Sequence, residues 1–208
     1  MMNKLWRFGD SWSTTQDNLY SHIELNHSKY IADYFGLELI HLGHGGFSNL
    51  EIFKRILENT HLYKPNDIIL INFTSIHRVS VIDGDNVICT SDAGNSVFKS
   101  KTLMKIVSNE VGGVISDILF YLIKSHLESL IDMGVKVYYF YNDASNYNCP
   151  IKIKNQLKFK NKNNTGYTGW CAENGYEDLT PAGNVHYTLG SQRNIANKII
   201  ELIESHDN

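Results

Sequence analysis

Four short stretches of the chain hold residues whose types and spacing suit acyl transfer. Phe8-Gly9-Asp10-Ser11 closes an apolar run. A nucleophilic serine needs such a tight strand-to-helix turn to expose its Oγ, and the following helix N-terminus helps hold an oxyanion. Gly9 permits the turn, and Asp10 can bond the turn backbone. The plainer alternative is a βα loop with a serine cap. Gly43-His44-Gly45-Gly46-Phe47-Ser48-Asn49 offers bare glycines, whose N–H groups can approach a ligand oxygen closely. A phosphate cradle competes, but Gly-x-Gly-Gly fits neither the dinucleotide fingerprint nor the P-loop, and no Lys-Ser/Thr follows. A simple turn, with Ser48 or Asn49 capping the next helix, is the structural alternative. Asn72-Phe73-Thr74-Ser75, followed by His77-Arg78, places polar side chains at the end of another apolar run, as oxyanion donors or as caps. Gly183-Asn184-Val185-His186-Tyr187-Thr188-Leu189-Gly190 precedes the last helical stretch. Among nine histidines, His22 and His126 fall within helical patterns, whereas His186 reads as a loop residue at a helix start, where catalytic bases are commonly carried.

The elements that must position these residues follow from hydropathy. Short β-branched or aromatic runs at Leu5–Phe8, Leu37–Leu42, Asp67–Phe73 and Val135–Tyr141 end at Gly, Asn or Asp or run into polar residues, as strands covered on both faces do. Helical spacing marks Asn18–Phe35 with Gly36 as its stop, Leu50–Leu62 with Pro65 beyond, Val111–Met133 with Gly134 beyond, and about Ser191–Ser205. Alternating β and α segments predict a parallel sheet with helices on both faces. Ligands of such sheets sit outside the carboxyl ends of the strands, where all four motifs fall.

Two stretches break the alternation and read as insertions, at about 77–109 and 142–183. The first carries Asp83-Gly84-Asp85-Asn86 and Asp92-Ala93-Gly94-Asn95 around Val87-Ile88-Cys89, which predicts a hairpin or a lid. The second alternates Lys with Ile153, Leu157 and Phe159 between Lys152 and Lys162, with Tyr167 and Trp170 following. A solvated edge protected by lysines, a base-stacking strip and an aromatic loop facing a carbohydrate all fit that pattern.

Composition sets the limits. The chain has 208 residues, 42% of them hydrophobic, which suits one domain over 1–208 with a single sizeable core. A formal charge of −3 gives no bulk attraction to nucleic acid or anionic membrane, so neither is an expected partner. Cys89, Cys149 and Cys171 form no even framework and no Cys-x-x-Cys pair; a Cys149–Cys171 bridge would need the intervening loop to fold back. The N-terminus has no apolar signal-like region and no segment approaches bilayer-spanning length, so a soluble, cytoplasmic or similar location is expected. His41 and His44 beside Asp10 suggest a metal site only weakly, since strand-end geometry need not converge them.

Taken in order, the four stretches resemble the motif blocks of the SGNH (GDSL-type) hydrolase family, from Gly9 to His186. The resemblance implies a three-layer α/β/α sandwich, flavodoxin-like, with about five parallel strands, and no metal or organic cofactor. It makes Ser11 the nucleophile, His186 the general base and Gly46 an oxyanion donor. Two blocks depart from the family. The third normally reads Gly-x-Asn-Asp, so Asn72, Thr74 or Ser75 stands in the asparagine's place. The last normally carries an Asp two or three residues before the His, where this chain has Asn184 and Gly183; Asn184, Asp178, Glu177 or a backbone carbonyl would then orient the imidazole. The expected activity is hydrolysis of small acyl esters, O-acetyl groups on a glycan among them. The competing readings are a non-catalytic ligand- or glycan-binding module with the same fold, and a flavodoxin-like nucleotide binder using Gly43 to Ser48.

Overall fold

The computed structural model describes residues 2–9, 26–44, 47–74, 79–83, 86–90, 110–142, 154–162, 166–179, 185–187 and 189–207. In chain order these form β1 (Lys4–Phe8), α1 (His27–Phe35), β2 (Glu38–His41), α2 (Asn49–Glu58), β3 (Ile68–Phe73), β4 (Val79–Asp83), β5 (Asn86–Thr90), α3 (Glu110–Asp132), β6 (Lys136–Tyr141), α4 (Gly166–Glu173), β7 (Glu177–Leu179), β8 (Val185–Tyr187) and α5 (Gln192–Asp207). Strands β2-β1-β3-β6 make a parallel sheet in that order. The chain steps from β1 outward to β2, then returns past β1 to β3. The direction of winding therefore reverses at β1, and the crevice of a doubly wound sheet lies at its carboxyl end.

Alternation along the strands sorts side chains to two cores, one on each face of the sheet. Trp6, Phe8, Ile69, Ile71, Phe73, Val137 and Tyr139 pack against Ile52, Phe53 and Ile56 of α2 and Ile123, Leu127 and Leu130 of α3. Leu5, Leu70, Tyr138 and Phe140 pack against Ile31 of α1, Trp170 of α4, and Ile195 and Ile199 of α5. The result is a three-layer α/β/α sandwich. Helix ends follow local chemistry. Asn26 caps α1 by accepting from Ser28 N, and Gly36, at φ 65°, closes it. Ser48 and Glu51 form a capping box on α2. That helix stops at Glu58, and a 3₁₀ turn over Thr60–Leu62 completes the longer stretch that periodicity suggested. Of the expected first helix, residues 18–25 lie outside the described residues.

The sheet departs from expectation in its width. Among the described residues it has four parallel strands rather than about five. Beside β6 stands one parallel bridge, Tyr139 with Gln156, and Leu157 N donates to Tyr139 O at 2.8 Å. Asn155, in the left-handed region at φ 69°, donates its side-chain Nδ2 to Val137 O at 3.2 Å. A side chain thus occupies an acceptor that a further strand would use. Leu157 and Phe159 are buried while Lys158 and Lys160 are exposed, so this segment covers the sheet edge with lysines outward. Of the two turn signals of the first insertion, Asp83 and Asn86 pair at the end of a hairpin in which β4 and β5 run antiparallel, while Asp92 to Asn95 lie outside the described residues.

Candidate active site

The carboxyl edge is assembled by main-chain bonds that run past the ends of the strands. Leu42 N donates to Arg7 O at 2.8 Å and His44 N to Gly9 O at 3.1 Å. The β1–β2 ladder therefore carries on into the loop of the first motif and the loop of the second. Gly9 leaves β1 at φ 155°, a conformation that disfavours a Cβ and accounts for glycine before Asp10 and Ser11. His44 is exposed and stacks on Phe47, ring centroids 5.0 Å apart, and the Arg55 guanidinium lies 5.9 Å from the other ring partner, Phe47.

The third motif is tied to the second by a reciprocal pair. Asn49 Nδ2 donates to Thr74 O at 3.1 Å, and Thr74 N donates to Asn49 Oδ1 at 2.9 Å. Of the two capping options at Ser48 and Asn49, Ser48 is the cap, and Asn49 instead fixes the exit of β3. Asn72 lies one register step before that exit, opposite Phe140, and is fully buried. Neither Nδ2 nor Oδ1 of Asn72 has a hydrogen-bond partner. A buried amide left without partners costs about 1–3 kcal/mol, so it is not there for stability.

Beneath this edge, on the face covered by α1 and α5, lies a buried polar group. Arg7 Nη1 donates to Phe8 O at 2.6 Å and to Leu70 O at 3.2 Å, and its guanidinium stands 5.4 Å from the Phe140 ring. His27, at the start of α1, donates its main-chain N to Gln192 Oε1 at 3.0 Å, and its Nδ1 stands 2.8 Å from the same oxygen. An amide oxygen only accepts, so Nδ1 carries the ring proton and Nε2 is bare. Burial, reinforced by the Arg7 charge and opposed by the Gln192 bond, lowers the His27 pKa to about 3. The ring is neutral at physiological pH. This contact joins the start of α1 to the first residue of α5, the helix that follows His186.

The predicted residues are distributed as follows. Asp10, Ser11, Gly46, Asn184 and Ser75 lie outside the described residues. Asn72 ends in the sheet interior, and Thr74 at its rim, also buried. His186 is not in a loop: it occupies the middle of β8, opposite Asp178 of β7. A three-residue strand between Asn184 and Thr188 gives too short an alternation to read from hydropathy. Sequence reasoning offered Asn49 only as a helix cap and passed over His27 and Gln192; all three act through contacts remote in sequence. Arg7 carried a visible signal, a charged residue inside an apolar strand. Leu157, Phe159, Tyr167 and Trp170 are core residues, which removes them as a base-stacking strip or a carbohydrate-facing surface. Cys171 is buried, and Cys149 lies outside the described residues. Among the described residues no group of three or more His, Cys, Asp or Glu side chains could hold a metal ion, and no helix is long and apolar enough to cross a membrane.

Searches against models of known protein families and against curated protein sequences return no match to this chain.

Proposed function

We propose that this chain is a serine hydrolase of the SGNH type that cleaves small acyl esters, O-acetyl groups first among them. Ser11 Oγ attacks the ester carbonyl while His186 takes its proton. The oxyanion is held by the N–H groups of Ser11 and Gly46, with Asn72 or Thr74 as a further donor. The alcohol leaves with the proton from His186. Water then attacks the acyl-enzyme, again giving its proton to His186, and the carboxylic acid departs.

The observation that carries this reading is the convergence of three motif loops on one edge at the switch point. His44 N on Gly9 O brings the second motif beside the first, two residues before Ser11, and the Asn49–Thr74 pair adds the third. The unpartnered amide of Asn72 supports it further, because a donor held without a protein partner is what a transient oxyanion requires. The burial of Tyr167 and Trp170 leaves the glycan part of the substrate resting on the family resemblance.

A fluorophosphonate probe tests the reading. The wild-type chain should be modified at Ser11, and Ser11→Ala should lose both labelling and turnover of a short-chain aryl acetate, the latter by on the order of 10³-fold or more. An unlabelled wild type, or full turnover by Ser11→Ala, would remove Ser11 from the chemistry.

A further inference from the structure

We infer that Arg7, Asn72 and Ser28 bind a small monovalent anion of chloride size, between the sheet and the start of α1. The inference needs neither Ser11 nor His186, so it stands apart from the hydrolase reading. Three strands form the floor of the site. Leu5, Leu70, Tyr138 and Phe140 face α1 and α5, and alternation puts Arg7 and Asn72 on that same face. The Arg7 guanidinium bonds Leu70 O at 3.2 Å and stands 5.4 Å from the Phe140 ring. Leu70 precedes Asn72 by two residues on β3, and Phe140 lies directly opposite Asn72 on β6. A group that touches both is therefore beside the Asn72 amide.

The start of α1 forms the ceiling. That helix runs from the carboxyl edge, where His27 N meets Gln192, towards the amino edge, where Glu38 N donates to Asn3 O. Ser28, Ile31 and Ala32 fall three and four residues apart on its buried face, and Ile31 packs in one cluster with Leu5. Ser28 is one helical turn nearer the carboxyl edge than Ile31, and Arg7 is two strand residues nearer it than Leu5. Ser28 thus stands at the level of Arg7.

Hydrogen-bond accounting points to a ligand here. Ser28 Oγ and both polar atoms of the Asn72 amide are buried and have no hydrogen-bond partner. Native interiors rarely leave such groups unmet, and a bound ion is one of the few explanations. The charge selects an anion. The Arg7 guanidinium is buried beside the amide, and the N-terminus of α1 adds the positive end of its dipole. The His27 ring reports the sign of this field. After burial, the largest cause, the Arg7 and His41 charges lower its pKa further, and only the Gln192 bond raises it. Size follows from burial. Arg7, Ser28 and Asn72 are each 0% exposed, so the ligand loses its whole hydration shell, which costs least for a single charge beside an opposite one. A phosphate at a helix N-terminus takes main-chain N–H groups. Here those of His27 and Ser28 are already bonded, to Gln192 Oε1 and Asn26 Oδ1. Two side-chain donors and one guanidinium suit a monatomic anion instead.

The test is a chloride titration of the full chain at constant ionic strength, balanced with a bulky organic sulfonate. The Asn72 side-chain N–H signals, assigned by their loss in Asn72→Leu, should shift saturably in the NMR spectrum. The chloride NMR line should broaden in step. Asn72→Leu and Ser28→Ala should each weaken the affinity read from that broadening by about tenfold or more. Arg7→Met should abolish it, and Lys136→Gln, at the amino edge, should leave it unchanged. Chloride should also stabilise the wild type against urea and leave Asn72→Leu unmoved, so the two are compared for intrinsic stability in chloride-free buffer. A wild type whose Asn72 signals and chloride linewidth ignore the titration overturns the inference, whether or not the variants fold. So does a response that survives unaltered in Asn72→Leu and Ser28→Ala. Fluorophosphonate labelling separates the two readings: a labelled chain without a chloride response keeps the hydrolase and loses this site, and the reverse keeps the site alone.

Discussion

Along the amino edge of the sheet, the buried Asp67 carboxylate takes three N–H donors: Lys4 N at 2.9 Å, Trp6 Nε1 at 3.0 Å and Lys64 N at 3.1 Å. Asp207 similarly gathers Lys136 Nζ, at 2.7 Å, and the Tyr138 hydroxyl, pinning the end of α5 to β6. Along the carboxyl edge, by contrast, the Asn72 amide has no partner, and the neutral His27 ring and the Arg7 guanidinium are both buried in the layer below. Satisfied polar groups stabilise a fold, and unsatisfied ones are tolerated where a site needs them. One edge of this sheet partners its buried carboxylate with three donors, and the other keeps a buried amide without any.

Substitutions at the two edges should therefore have opposite signatures. The largest loss of stability is expected from Asp67→Ala, which strands the buried Trp6 N–H and two main-chain donors. Unfolding free energy should fall by about 3 kcal/mol, and the melting temperature by roughly 6–12 °C, while turnover of the folded fraction is unchanged. A proportionate loss of turnover would mean that the amino edge communicates with the site.

His27 gives the next effect, seen only in acid. Its folded pKa, about 3, lies below the ordinary 6.5 of the unfolded chain. Between those values the unfolded state binds the extra proton. The contribution is thus fully present above about pH 6.5 and falls as pH drops towards 3. The slope is about 1.4 kcal/mol per pH unit, or about 2 kcal/mol by pH 5. Urea titrations at pH 7 and pH 5 should show this loss in the wild type and not in His27→Gln. Equal slopes in the two proteins would mean that the ring is charged in the folded state.

Asn72→Leu should produce the smallest shift, and one of opposite sign. Removing the unpartnered amide should raise unfolding free energy by about 1 kcal/mol. It should also lower kcat on an aryl acetate by about 10²-fold if Asn72 is the oxyanion donor. A stability gain with full turnover would hand that role to Thr74.

The strands and most helices were legible because their signals are local. Ile68–Phe73 is apolar throughout, Ser48 and Glu51 stand three apart ahead of Ile52 and Phe53, and Gly36 and Gly134 follow helices in positive φ. Asp83 and Asn86 announced the β4–β5 turn in the same way. The segment from Lys152 to Trp170 was ambiguous, because alternating Lys and apolar residues describe an edge cover and a binding strip equally well. Only the packing of Leu157 and Phe159 against Phe140 and Tyr167 distinguishes them. Of the candidate site, the places of the first three motifs after β1, β2 and β3 were readable, while the strand that carries His186 and the groups that join the motifs were not.

By itself, then, the sequence determined a doubly wound α/β layout and the edge on which its polar motifs would gather, since periodicity and caps act over a few residues. Tertiary structure alone decided that Asn49 would bond Thr74, that Gln192 would bond a His27 ring kept neutral by its burial, and that Asp178 would stand opposite His186. Those partners lie 25, 165 and 8 positions apart respectively. Pairings at such separations are fixed by the register of strands and the packing of helices on a sheet, which no local pattern encodes.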